Sequence, residues 1–295
     1  MIKKILKLAL CLVVYTITIS VLGAVLPSSP GFKEMTASGN PTDILYLLLN
    51  GIYVCFVVYF LFMHSFYKGV KQYACIVSVV FFIQSFMTQI ETLLFIGAFP
   101  ALAVSDVLFF MVRDLLVLLA VTALAMRLFR KEKASMPAIE AEKRDTRVKS
   151  ILAKMGIIGI IYMFVYLLFG YFVAWQFAEL REFYSGSAEK LNFFRQMAFN
   201  IQSRPILIPF QFLRGILFSA FILPLLFMIN TRKLFIASVC LVYLSTAILL
   251  VIPNVLFPTM VRIGHLLEMT SSMLLFGFIA ANIMWIKKKE PVGQV

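Results

Sequence analysis

Long apolar stretches alternate with short polar ones along most of this chain. A helix rises about 1.5 Å per residue, so about 20 apolar residues are needed to cross a hydrocarbon core of roughly 30 Å. Eight stretches are long enough. The pattern therefore predicts an all-α, polytopic membrane protein with spans at residues 5–26, 43–63, 73–98, 101–128, 151–175, 206–229, 234–252 and 261–286.

A polar, basic stretch divides the spans into two sets of four. Residues 1–128 hold the first set, residues 129–150 form a linker, residues 151–286 hold the second set, and residues 287–295 form a tail. Two sets that start on the same side are what a parallel duplication would produce. The matching letters are limited to Met-Val-Arg at 111–113 and 260–262, which do not establish a repeat.

Composition excludes an ordinary soluble domain, since 62% of the residues are hydrophobic and the mean hydropathy is +0.95. The formal charge of +13 is explained by topology. Lys3, Lys4 and Lys7 precede or open the first span, which places the amino terminus in the cytoplasm by the positive-inside rule. Alternating crossings then put 19 of the 27 lysines and arginines, and both termini, on the cytoplasmic side of the plasma membrane. Nucleic-acid binding is not needed to explain the charge.

The first span has a second interpretation. A basic start followed by an apolar run resembles a signal peptide, with a cleavage site near Ser20-Val-Leu-Gly-Ala24. The apolar run is longer than usual for such a segment, and no clear A-x-A site follows it. We expect a retained helix; cleavage would leave seven spans with unchanged orientations.

Eight ionisable side chains lie inside the predicted spans, when Lys7, Asp43, Arg127 and Lys154 near the ends of their spans are counted with the adjoining loops. A charge in hydrocarbon costs roughly 2.5–3.5 kcal/mol on insertion scales, so such residues usually face a partner or a water-filled cavity. The eight are Glu91, Asp106, Arg113, Asp114, Arg214, Arg262, His265 and Glu268.

Helical spacing groups these charges with neutral polar residues. Gln84 and Glu91 share one face of the third span, and Gln211 and Arg214 share a face of the sixth. In five spans the polar residues, including Asn50 in the second, fall in the half nearer the outer side. The sequence therefore predicts a polar vestibule that opens toward the outer face.

Depth separates the candidates. Arg113, Asp114 and Arg214 are far from both ends of their spans, and we expect Glu91 and Glu268 to be their partners. A charge near the interface is tolerated without a ligand. Asp106, Arg262 and His265 are therefore weaker candidates, together with the neutral residues Asn50, Gln84 and Gln211. For all of them the alternative is a structural ion pair that holds helices in register.

The sequence gives little support for a metal site, a cofactor site or a known catalytic motif. His265 and Glu268 share a helical face and could supply two metal ligands or an acid/base pair, but the other histidine, His64, is assigned to the opposite side. HExxH, GxSxG, GxGxxG and Walker motifs are absent from the sequence. No metal site and no cofactor are predicted.

The outer segment at residues 176–205 is amphipathic. Leu191, Phe194, Ala198 and Ile201 follow helical spacing, which predicts a helix in the outer interface or a lid over the vestibule. Trp175 and Tyr184 are assigned to the aromatic belt.

The leading hypothesis is a transporter or amphiphile-handling protein that binds a small polar or anionic solute or a lipid headgroup. Arg113 and Arg214 would supply positive charge, while Glu91, Asp114 and Glu268 would neutralise it or relay protons. One alternative is an intramembrane enzyme acting on lipid-linked or envelope substrates, with Glu91, His265 or Glu268 as acid or base. Another is a non-catalytic subunit or assembly factor of a membrane complex. The oligomeric state is open.

Overall fold

The protein is all-helical in the computed structural model, which describes residues 2–37, 43–135, 140, 142, 144–253 and 256–285. Eight helices are long and apolar enough to cross a membrane, which confirms the predicted number. They are α1 (Ile2–Val25), α2 (Ile44–His64), α3 (Gly69–Leu94), α4 (Val104–Leu128), α5 (Val148–Gln176), α6 (Leu207–Met228), α7 (Arg232–Val251) and α8 (Thr259–Met284).

The ends of these helices lie a few residues from the predicted ones. The largest shift is in α3, which begins at Gly69 in a left-handed conformation (φ +57°) and gives way to a 3₁₀ turn at Ile96–Ala98. Shorter helices occupy Pro30–Thr36, Arg130–Ala134, Ala178–Ser185 and Phe193–Ser203. The predicted tail at 287–295 and parts of the linker at 129–150 lie outside the described residues.

The eight helices run in alternate directions, so the bundle has two ends. We call the end that carries Ala178–Ser185 and Phe193–Ser203 the loop end. The opposite end carries Lys7, Lys133 and Arg144 and is called the basic end.

The hydrophobic core fills the half of the bundle at the basic end. Fully buried apolar side chains include Leu61 of α2, Ile76 of α3, Val121 of α4, Leu225 of α6 and Phe276 of α8. An isolated β-bridge between Ser65 and Ile229 ties the end of α2 to the end of α6 there. The loop-end half is packed differently, because it encloses a cavity.

Candidate functional site

A cavity of about 740 Å³ occupies the loop-end half of the bundle. All eight long helices contribute lining residues, from Tyr15 of α1 to Met269 of α8, together with the helices at Ala178–Ser185 and Phe193–Ser203. Each long helix contributes only from its loop-end half or from its midpoint. The cavity therefore starts beneath the two short helices and ends near the middle of the bundle.

One wall of the cavity is polar and belongs to α3. A single π-helical stretch at Phe81–Phe86 interrupts this helix, and such wide turns occur often at functional sites. The neighbouring side chains of Gln84 and Ser85 both line the cavity at this turn. The polar wall continues along the helix with Thr88, Gln89, Glu91 and Thr92.

Arg214 and Glu91 form an ion pair at the cavity. The Arg214 side chain is 1% exposed and that of Glu91 is 25% exposed, with 2.7 Å between Nη1 of the arginine and Oε1 of the glutamate. Arg214 Nη1 also donates to Gln211 Oε1 (3.0 Å), and Nη2 donates to the carbonyl of Met87 (3.2 Å). The rings of Tyr162, Phe210 and Phe218 surround the guanidinium at 5.6 to 5.9 Å.

The close approach of α5 and α6 places Arg214 at this depth. A Cβ atom at Gly215 would lie 2.6 Å from Tyr162 Cβ and 2.7 Å from Gly159 Cα. Only glycine fits at such a contact, and small residues commonly let membrane helices pack backbone to backbone. The glycine that follows Arg214 therefore brings its helix against Tyr162.

Arg113 and Asp114 form a second pair on α4. Nε and Nη2 of Arg113 donate to Asp114 Oδ1 at 3.1 and 3.0 Å, and Ser85 donates its hydroxyl to Asp114 Oδ2 at 2.8 Å. The Arg113 guanidinium also lies 5.2 Å from the ring centre of Phe110. Both oxygens of the aspartate are thus engaged, and the pair joins α4 to α3.

A hydrogen-bonded chain links α8 to the helix at Ala178–Ser185. His265 Nδ1 is 3.0 Å from Glu268 Oε2, and His265 Nε2 is 3.1 Å from the Tyr184 hydroxyl. All three residues line the cavity. Burial raises the pKa of Tyr184, and the carboxylates of Glu91 and Glu268 raise it further. The phenol is therefore neutral at physiological pH and can donate to an unprotonated imidazole nitrogen.

Asn50 and Gln84 continue the polar wall toward α1. Gln84 Nε2 donates to Asn50 Oδ1 (3.4 Å), and Asn50 Nδ2 donates to the Tyr15 hydroxyl (2.7 Å). Asn50, Gln84 and Tyr15 all line the cavity. Three helices thus share one chain of neutral polar groups.

Two of the predicted charged side chains lie outside the cavity lining and bind backbone groups at the ends of helices. Asp106 accepts hydrogen bonds from the backbone of Ser29 (2.7 Å) and Ala103 (2.8 Å) and from the Ser29 hydroxyl (2.6 Å). Arg262 donates to the carbonyls of Leu250 and Val251 at the end of α7. Both side chains are therefore bound by groups at helix ends and not by the other candidate charges. Gln211 also lies outside the lining, behind Arg214.

The predicted candidates are thus divided by the fold. Eight line the cavity: Asn50, Gln84, Glu91, Arg113, Asp114, Arg214, His265 and Glu268. Among the described residues, no group of three His, Cys, Asp or Glu side chains could hold a metal ion.

The segment at 176–205 supplies lining residues that the sequence did not indicate. Gln196 accepts a hydrogen bond from Trp175 Nε1 (3.0 Å) and donates to Asn200 (2.8 Å), and all three line the cavity. Arg204 lies 4.8 Å from the ring centre of Phe95 at the same cavity. Gln196 and Asn200 are four residues apart, and this spacing could have indicated a polar helical face turned toward the cavity.

The apolar stripe of this segment faces away from the protein. Phe194 is 81% exposed and Ile201 is 49% exposed. The helix at Phe193–Ser203 therefore covers the cavity with its polar face and leaves apolar side chains exposed on the other.

Comparisons with known proteins leave the site to be judged on its own chemistry. No protein-family model matches the chain, and neither the curated proteins nor the solved structures contain a significant match.

Proposed function

We propose that this protein is a transporter or amphiphile-handling protein of the plasma membrane that binds an amphiphile with a polar or anionic headgroup. The ion pair of Arg214 and Glu91, which faces a cavity of about 740 Å³ in an otherwise apolar bundle, is the observation that carries the proposal. A pair placed only for stability would need no cavity beside it.

The walls of the cavity suit a molecule of mixed polarity. Apolar and aromatic side chains, including Ile19, Leu47, Val117 and Leu118, make up most of the lining. The polar groups are concentrated on α3 and around Arg214. Ligand cavities commonly combine apolar walls with a few polar groups that fix orientation. An aliphatic chain can lie along the apolar lining while a headgroup reaches the polar groups on α3 and Arg214.

Unused donors favour an anionic headgroup. Among the described residues, Arg214 Nε and Gln211 Nε2 are buried and have no hydrogen-bond partner. An unpaired buried donor costs about 1–3 kcal/mol, and guanidinium groups bind carboxylate and phosphate oxygens especially well. An oxygen-rich anion beside Arg214 would satisfy its Nε donor, whereas Gln211 lies outside the cavity lining.

Charge distribution supports an orientation with the loop end outside. Lys7, Lys133 and Arg144 lie at the basic end, and the positive-inside rule assigns that end to the cytoplasm. The cavity would then belong to the outer half of the membrane.

Ligand-dependent thermal stabilisation tests the proposal. The purified protein in a maltoside detergent would be titrated with dodecanesulfonate, with unfolding followed by a dye that reacts with its four free cysteines. Methanesulfonate, which lacks the tail, and dodecanol, which lacks the charge, are the matched probes. We expect saturable stabilisation by dodecanesulfonate of about 2.7 kcal/mol at a hundredfold excess over Kd, and little from the other two.

The double variant Arg214→Gln/Glu91→Gln removes both charges of the pair and should abolish this stabilisation. Arg195→Gln is the matched control, because Arg195 is exposed on the same side of the bundle and outside the cavity lining. If the double variant responds to dodecanesulfonate as the wild type does, the proposed site is wrong.

The chain of Tyr184, His265 and Glu268 favours one alternative, an intramembrane enzyme that uses His265 as a general base. A carboxylate on one imidazole nitrogen and a hydroxyl near the other is an arrangement suited to proton transfer. The reconstituted protein would be incubated in liposomes of a polar lipid extract, with lipids compared by mass spectrometry. Conversion by the wild type that is lost in His265→Gln would favour this alternative over the proposed function.

A further inference from the structure

The charges that line the cavity cancel. Among the described lining residues there are three arginines and three carboxylates, and His265 adds no charge while it is neutral. An anion that entered alone would leave one uncompensated negative charge in a place of low polarity. Such a charge is costly unless a proton or a counterion accompanies it. The charged lining residues are Glu91, Arg113, Asp114, Arg204, Arg214 and Glu268.

The two members of the central pair differ in how firmly they are held. Arg214 is enclosed, and its guanidinium is fixed by Gln211 and by the carbonyl of Met87 as well as by Glu91. Glu91 contacts Arg214 through Oε1. Glu91 is also the more exposed of the two. An incoming anion would therefore displace the glutamate and leave the arginine in place.

Resting on the proposed function, we propose that an anionic headgroup replaces Glu91 on Arg214 and that the released Glu91 carboxylate takes up one proton from water. The contact between Glu91 Oε1 and Arg214 Nη1 breaks, and a contact between the headgroup and the guanidinium forms. The proton on Glu91 compensates the added negative charge. The net charge of the cavity is then the same before and after binding, so the protein co-binds one proton with each anion.

The surroundings of Glu91 favour its neutral form once Arg214 is occupied. A carboxylate that loses its cationic partner in a site of low polarity binds a proton more tightly, and a second carboxylate nearby adds to this effect. Glu268 lines the same cavity as Glu91. The titratable and charged groups that share the cavity with Glu91 are Tyr15 of α1, Arg113 and Asp114 of α4, Tyr162, Tyr166 and Tyr171 of α5, Tyr184 and Arg204 of the covering segment, Arg214 of α6, and His265 and Glu268 of α8.

Proton uptake on binding tests the assignment. The full chain in a weakly buffered detergent solution with a pH-indicator dye would be mixed with dodecanesulfonate, whose sulfonate stays ionised, so that any proton taken up belongs to the protein. We expect about one proton per bound anion near neutral pH. By linkage, the affinity should fall about tenfold for each unit of rising pH over the range of uptake. Methanesulfonate separates a free anion from an amphiphile.

The variant Glu91→Gln keeps a hydrogen-bonding side chain but cannot take up the proton. It should bind dodecanesulfonate at least as tightly as the wild type, without uptake and without pH dependence. Glu179→Gln is the matched control, since Glu179 is exposed and outside the lining, and it should retain one proton per anion.

The outcomes separate this inference from the function on which it rests. Binding without proton uptake in the wild type overturns the inference and leaves the proposed function intact. No saturable binding overturns the proposed function itself. Uptake that persists in Glu91→Gln but is lost in His265→Gln assigns the proton to the imidazole and overturns the role of Glu91. If Glu91→Gln does not fold, the stoichiometry and pH slope of the wild type still test whether a proton accompanies the anion, and uptake that is lost in His265→Gln overturns the role of Glu91.

Discussion

The two ends of the bundle use cations in different ways. At the basic end, cations bind backbone carbonyls at helix ends: Lys7 that of Leu128, Arg144 that of Ile229, and Lys154 that of Met284. Lys7 also pairs with Glu132, but away from the cavity. At the loop end, Arg113 and Arg214 face carboxylates, aromatic rings and a cavity. The first arrangement satisfies acceptors that every helix leaves unpaired at its carboxyl end.

The difference separates charges that complete the fold from charges that are placed for another purpose. No helix end requires a cation at Arg214, which is buried within α6, or at Arg113, which lies within α4. Buried apolar side chains also fill the half of the bundle at the basic end, whereas the loop end keeps a cavity beside its ion pairs. Arg262 shows that the division follows contacts and not position alone, because it lies at the loop end and binds carbonyls.

Among the variants that test this difference between the two ends, Arg214→Gln alone should cause the largest loss of stability. Loss of one member of a buried pair costs about 3–5 kcal/mol, because the other charge is left unpaired. The exposure of Glu91 puts the expected loss of stability near the lower value. The double variant with Glu91→Gln should recover most of the loss in thermal unfolding. A double variant no more stable than the single one would show that the charges do not act as a pair.

The contact between α5 and α6 gives the next largest effect. Gly215→Ala should destabilise the protein by about 1–3 kcal/mol, because the added methyl would overlap Tyr162 and Gly159. Gly156→Ala on α5 is the control, since a Cβ there meets no atom within 4 Å. The same unfolding assay compares the two. Equal effects would contradict the close approach that places Arg214.

Removal of a cation at the basic end should change the stability least. Lys154→Met removes the hydrogen bond to Met284 but also the cost of burying an ammonium group, so we expect a change in the free energy of unfolding below about 1 kcal/mol. Dodecanesulfonate binding should stay within about twofold of the wild-type value. A large loss of binding in Lys154→Met would mean that the two ends are not functionally distinct.

Hydropathy was enough to predict the eight helices, and helical spacing was enough to predict which polar residues share a face. His265 and Glu268, three residues apart, do form a contact, and Gln211 and Arg214 do as well. The sequence named Glu91 and Glu268 as partners of the three deep charges, but it could not show which of them would meet which charge, because that depends on how the helices pack. Arg214 meets Glu91 only because α6 packs where Gly215 allows it.

Two other features of the site could not be predicted from the sequence. One is the hydrogen bonding of polar side chains to nearby backbone groups, and the other is the path of the segment at 176–205. Asp106 shares a stripe with Arg113, seven residues away, but binds the backbone of Ser29 and Ala103. Hydropathy does not show which backbone N–H groups at helix ends need an acceptor. Tyr184 was assigned to an aromatic belt, and the segment that carries it instead folds back over the cavity and places its hydroxyl on His265.

The most direct test of the central claim compares the two tryptophans of the chain. Trp175 lines the cavity at the loop end, and Trp285 is buried at the basic end beside Phe235. An analogue of dodecanesulfonate with bromine at the end of its tail would quench the fluorescence of nearby indole rings in wild type, Trp285→Phe and Trp175→Phe. The account predicts saturable quenching of Trp175 and none of Trp285. Equal quenching of both, or quenching of Trp175 that persists in Arg214→Gln/Glu91→Gln, would contradict it.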